Sequence, residues 1–154
     1  MPDSFDGRFE LLVLHAHLMV RRLRQEGERG EETGQLLFDA LTAHFDEALR
    51  AIGVGDMSVG KHVKSMTRGL YGRLNAYDTG LDAGEPAVLR DALRRNLYGT
   101  LENPDAAVLD AMAAYVRAAE AHLQGLSYDT IVNASGLYPE PPAIAVPAAQ
   151  EGKA

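Results

Sequence analysis

Apolar residues return every three to four positions along most of this chain, and almost nowhere alternate in the two-residue period of a strand. From Phe5 to Arg24 the stripe is Phe5, Phe9, Leu12, Ala16, Met19 and Leu23, which predicts a first helix. "QEGERGEETG" (Gln25 to Gly34), charged and punctuated by glycine, reads as a loop. A second helix near Thr33 to Ile52 places Leu37, Leu41, His44, Phe45, Ala48 and Ile52 on one face. Ser58 is a suitable N-cap for a third helix, to about Tyr77. Pro86 opens a fourth, to Leu97, at the position where a helix tolerates proline. Asn103 and Pro104 announce a fifth that ends at Gly125, and Ser127 to Ser135 forms a short sixth.

The expected fold is all-α: a single compact domain of five to six helices over residues 5–136. Residues 137–154, rich in proline and alanine, read as a disordered C-terminal tail whose removal should barely change stability. The 154 residues are one domain's worth of chain, and 46% hydrophobic residues supply a core without disulfides or metal. Cysteine is absent, which excludes thiolate chemistry. The longest apolar run, Leu11 to Val20, is interrupted by two histidines and too short to span a bilayer, and the first residues lack a signal-peptide pattern. The expected location is cytoplasmic, including the periphery of the membrane's inner face. A net charge of −7 argues against coating DNA, though not against a local basic patch.

One stretch suggests chemistry. Gly55 to Lys61 has the G-x-x-x-x-G-K spacing of a phosphate-binding loop, with His62 in place of the magnesium-binding hydroxyl. Such a loop needs a preceding strand, so that its N–H groups and the next helix converge on the phosphates. The preceding "FDEALRAI" is amphipathic helix instead. Gly53 suits a left-handed helix C-cap and Gly55 the turn that follows, so the stretch reads as a helix–helix turn.

The histidines form no metal motif. His15 and His17 point about 160° apart on a helix and cannot share an ion. His44 falls in an apolar face, as a hydrogen-bonded core histidine would, while His62 and His122 are isolated. No serine or threonine sits in a nucleophile elbow; Ser58 and Ser135 suit caps. No catalytic residue, metal or cofactor is assigned.

Two helix faces stand out. Leu11, Leu14 and Leu18 form a second apolar stripe opposite the first helix's main one. A helix apolar all round is either enclosed within its domain or covered by a partner, and the second reading makes these leucines a client-binding face. On the third helix Lys61, Lys64 and Arg68 lie within about 60° of one another, opposite the apolar stripe. They form solvated surface or bind an anionic partner: an acidic protein segment, RNA phosphate or lipid headgroup. Arg21, Arg24 or Arg95 would extend that patch if the fold brought them near.

Five blocks occur in a recognisable order: "LLVLHAHLMVRRLR", "GVGDMSVGKHVK", "YGRLNAYDTGL", "LRDALRRNLYG" and "YVRAAEAHL". Over Phe9 to Leu126 the chain resembles the ubiquinol–cytochrome c chaperone family, the assembly factors of respiratory complex III, in its short bacterial form. The matching positions are His15, Arg21, Arg24, Gly53, Gly55, Lys61, Tyr77, Asp78, Arg95 and Asn96, and none is read as catalytic. His17 and Arg94 stand where mitochondrial members carry tryptophan.

The resemblance implies an α-helical, non-enzymatic chaperone that binds newly made cytochrome b or a related membrane subunit during complex III biogenesis. It implies partners in a small protein and the ribosome or an anionic membrane surface. A rival class is a helical carrier of haem or quinone, with His15 or His44 touching the ligand.

Overall fold

The structure is a computed structural model describing residues 4–51, 53, 55–134 and 136–141; the side chains of 5, 6, 49, 56–59 and 61–68 lie outside the described set. Ser4 begins the first helix by accepting a hydrogen bond from the Gly7 amide at 3.1 Å. Helix α1 (Phe5–Leu23) runs into a single 3-10 turn (Arg24–Glu26), and Gly27, at φ 66°, redirects the chain into α2 (Glu28–Ala51). Most of the expected loop at 25–34 is therefore helix. Glu28 and Glu31 occupy the first turn of α2, where carboxylates favour the helix dipole, and one glycine suffices for the turn.

Gly30 and Gly34 are instead contact residues. A Cβ on Gly30 would lie 1.9 Å from the Leu23 carbonyl oxygen, so only glycine permits α2 to cross the end of α1 so closely. Gly53, at φ 87°, ends α2 in the left-handed conformation, and Gly55 precedes α3 (Asp56–Asp82). That helix starts two residues before Ser58, and residues 56–61 of the phosphate-loop spacing are helical. The segment before it is helix α2 rather than a strand, so the stretch is the helix–helix turn its flanks predict, followed by the first turns of α3. Three helices follow: α4 (Pro86–Asn96), α5 (Ala106–Gln124), capped by Asp105, and α6 (Tyr128–Val132), capped by Ser127. Among the described residues there is no strand.

The core has two parts, and α1 separates them. Phe9 and Val13 face Leu41, Phe45 and Leu70 of α2 and α3. Leu14 and Leu18 face Tyr77, Leu81, Leu89, Leu93, Val116 and Leu123 of α3, α4 and α5. This corrects the client-face expectation for Leu11, Leu14 and Leu18. Leu14 and Leu18 are 0% and 2% exposed, and Leu11 packs half-buried against the same cluster. The second stripe exists because α1 is enclosed on two sides.

Residues 137 and 138, expected in a disordered tail, are instead part of the fold. Leu137 and Tyr138 pack on the larger cluster, and the Tyr138 hydroxyl donates to the His15 carbonyl at 2.6 Å. The Gly136 carbonyl accepts from His122 Nε2 at 2.7 Å. Residues 142–154 lie outside the described set.

Candidate functional site: an ion-pair hub beside an apolar cleft

Near the end of α1, Arg21 reaches three carboxylates on two other helices. Its Nε donates to Glu120 at 2.8 Å and its Nη1 to Asp78 at 2.9 Å, while Nη2 meets Asp82. The guanidinium is about one-fifth exposed, so water only partly screens these bonds. They hold its pKa above the ordinary arginine value, the Asp82 bond foremost, with burial opposing. Arg21 in turn lowers the Asp82 pKa. Arg24 approaches the second Asp78 oxygen at 3.4 Å.

Beneath the hub lies His17, 1% exposed. Its Nε2 is 3.2 Å from Asp78 Oδ1 but out of line for a hydrogen bond, so both ring nitrogens are unbonded among the described residues. Burial lowers its pKa from 6.5 to about 4; Asp78 pulls it upward, and Arg24 and Arg21 push it down. The imidazole is thus neutral near pH 7. Its ring lies 5.9 Å from that of Tyr77, a fully buried residue whose hydroxyl also lacks a hydrogen bond. Burial raises the Tyr77 pKa, so the phenol stays protonated.

Arg22, next along α1, serves a separate end. Its guanidinium donates to the Leu123 carbonyl in the last turn of α5 at 3.2 Å, to the Leu126 carbonyl just past it at 2.8 Å, and to Glu26 at 2.8 Å. A cation there satisfies carbonyls the helix leaves open.

Alongside the hub, α1, α2 and α3 enclose a cleft of about 320 Å³. Val13, Leu41, Leu70 and Leu74 line one end, Phe38 and Tyr71 the side, and Arg24, Glu31 and Gln35 the other end. His17 lies in its floor. A second hollow, of about 210 Å³, lies between Phe9, Leu12 and His44. Among the described residues no helix is long and apolar enough to cross a membrane, and no group of His, Asp and Glu could hold a metal ion.

The family model for ubiquinol-cytochrome C chaperones matches residues 1–137. The chain belongs to this family. It is 24% identical over 132 residues to the mouse protein "Ubiquinol-cytochrome c reductase complex assembly factor 1", covering 86% of this chain and 44% of that one. The Xenopus laevis protein of the same description is 25% identical over 117 residues, 76% of this chain and 58% of that one. The chain thus spans about half the length of these curated relatives. A crystal structure of the Cbp3 homolog from Brucella abortus superposes with a TM-score of 0.78 at 32% identity, covering 90% of this chain and 76% of that chain.

Four of the positions carrying the chaperone-family resemblance converge: Arg21, Arg24 and Asp78 form the hub, and Tyr77 lies beside His17 below it. The others are dispersed. His15 Nδ1 donates to the Leu11 carbonyl within α1, and Nε2 meets the Tyr115 hydroxyl of α5, both at 2.8 Å. Gly53 and Gly55 form the α2–α3 turn. Asn96 bonds within α4, to the Ala92 carbonyl at 3.0 Å, and Arg95 is exposed.

Lys61, Lys64 and Arg68 lie on α3, but their side chains are outside the described set. Arg21 does not extend a free basic patch, because three carboxylates engage it, whereas Arg24 is about half exposed and meets Asp78 through one nitrogen at 3.4 Å. His44 is exposed rather than a core histidine; the buried one is His17. Sequence reasoning missed Asp82, Glu120, Arg22 and the cleft. The one available signal was the pair of cations Arg21 and Arg24 just after the apolar run Leu11 to Val20, three residues apart and so facing one neighbour.

Proposed function

We propose that this protein is a non-enzymatic assembly chaperone that binds newly made cytochrome b, or a related membrane subunit, during biogenesis of respiratory complex III. One observation carries the reading: the chaperone-family match over residues 1–137. Relatives described as complex assembly factors, and the solved Cbp3 homolog, support the same role.

The mechanism is holding. The α-helical body is braced by Arg21 where three helices meet, which suits a rigid platform. Lys61, Lys64 and Arg68 attach it to an anionic surface: the inner face of the membrane, the ribosome or an acidic client loop. A small partner protein completes the working complex. We assign no acid, base or nucleophile to the hub, which is built of ion pairs. The haem or quinone carrier has little support, as His15 is bonded at both ring nitrogens and His44 lies apart from it on the surface.

The test is affinity purification of the tagged native chain from respiring cells, with co-purifying subunits identified, alongside a deletion strain. Cytochrome b should co-purify, and the deletion should lose assembled complex III. Normal complex III in the deletion strain would sink the reading.

A further inference from the structure

We infer that the α1–α2–α3 cleft is a binding site for a single-chain amphiphile, with its aliphatic chain along the groove and, at the Arg24 end, a head group bearing both an anionic oxygen and an amine. The inference rests on the groove's shape and lining and not on the chaperone reading.

Size comes first. Along α1 the walls run from Val13 to Arg24, and along α2 from Leu41 back to Gly30. Each stretch is about 16 Å at 1.5 Å per residue. A volume of about 320 Å³ spread over that length makes a long, narrow groove. A helix with its side chains is about 10–12 Å across and does not fit.

An extended peptide is narrow enough, but its N–H and C=O groups need partners. The walls are side chains on helices whose own backbone groups are already paired, so a buried strand would leave polar groups unsatisfied. A hydrocarbon chain needs no such partners. The floor favours it too: His17 is buried and neutral, so no charge faces the chain.

Polarity then orients the ligand. Among the described residues Val13, Leu41 and Leu70 make one end apolar, while Arg24 and Glu31 put one cation and one anion at the other. Arg24 is about half exposed and touches Asp78 with only one of its nitrogens, which leaves further donors for an anionic oxygen. Glu31 is exposed and can accept from an amine. A phosphoethanolamine head carries both groups, and its glycerol carries the single chain. The same chemistry can come from a free lysolipid or from one chain of a bilayer phospholipid.

Calorimetry on the full chain, using monomeric lysophosphatidylethanolamine with a 14-carbon chain, tests the site. One-to-one binding is expected, and none at the solubility limit would overturn the proposal. Gly34→Leu fills the groove: a Cβ there meets Val20 only at an ordinary 3.7 Å, so the backbone accepts it while the longer side chain occupies the cleft. With circular dichroism and melting point retained, it should abolish binding; wild-type binding by this folded variant would reject the cleft as the site.

Arg24→Gln and Glu31→Gln should each weaken binding about ten-fold, the effect of losing one charge-assisted hydrogen bond. Myristate and tetradecylamine, each carrying half of the head's chemistry, should bind more weakly than the lysolipid. Equal binding of either would refute the two-group head. In a parallel arm with phosphatidylethanolamine vesicles, retention of wild type but not of Gly34→Leu points to a bilayer source, and no retention points to the free lysolipid; both outcomes support the site.

Discussion

Arg21 Nη1 lies 2.9 Å from Asp78 Oδ1, joining helices whose contacting residues are 57 positions apart in the chain. With Glu120 accepting from Nε of the same guanidinium, one side chain fastens α1, α3 and α5. Replacing Arg21 by alanine leaves Asp78, Asp82 and Glu120 facing one another with less cation between them. The expected cost is about 2 kcal/mol, between the values for exposed and for buried pairs. The melting temperature should fall by about 4–8 °C. Arg21→Lys should recover little, because an ammonium cannot reproduce the planar fork. A lysine variant that melts with wild type would show that only net charge matters there.

His17 makes stability depend on pH in a defined window. Its folded pKa is depressed to about 4 from 6.5, so the unfolded chain takes up the proton first as pH falls. The folded state therefore suffers nothing from His17 near pH 7 and loses stability progressively toward pH 4. The full loss is about 3 kcal/mol. Urea melts of wild type and His17→Leu between pH 4 and 7.5 should show a shallower fall for the variant. Parallel curves would mean that His17 titrates normally in the folded protein.

Tyr138 makes the last described residues part of the fold. The chain ending at Gly136 should be less stable than the chain ending at Pro141 by about 2 kcal/mol, from lost apolar burial and the hydrogen bond to His15. Tyr138→Phe should cost about 1 kcal/mol, the usual worth of one such bond. Equal melting of the two truncated chains would show that the contact adds nothing.

The turn between α2 and α3 should not bind nucleotide. Calorimetric titration with magnesium and ATP or GTP at millimolar concentration should give no heat of binding. The reason is that α3 begins at Asp56 directly after helix α2, so residues 56–61 are helical and there is neither the preceding strand nor the loop that would wrap the phosphates. ATP binding that vanishes in Lys61→Ala would overturn this assignment.

Periodicity, caps and turn residues determined by themselves that the chain is helical, roughly where five of the six helices among the described residues end, and that Gly53 turns left-handed. These are local properties: a residue's backbone preference and the spacing of apolar side chains act within a few positions. The order of the motif blocks also made the chaperone family legible. Tertiary structure alone decided which of two permitted outcomes each ambiguous segment took. Leu14 and Leu18 could have faced a client, yet α4 and α5 cover them. Gly30 looked like a loop residue and is the crossing point of two helices. His44 and His17 both lie on partly apolar faces, and only the packing of α3 against α1 buries the second and leaves the first in water. Arg21 is an ordinary helix cation until Asp78, Asp82 and Glu120 arrive from distant parts of the chain. Burial and ion pairing depend on which faces meet, and that choice is made by the whole core at once rather than by any one segment.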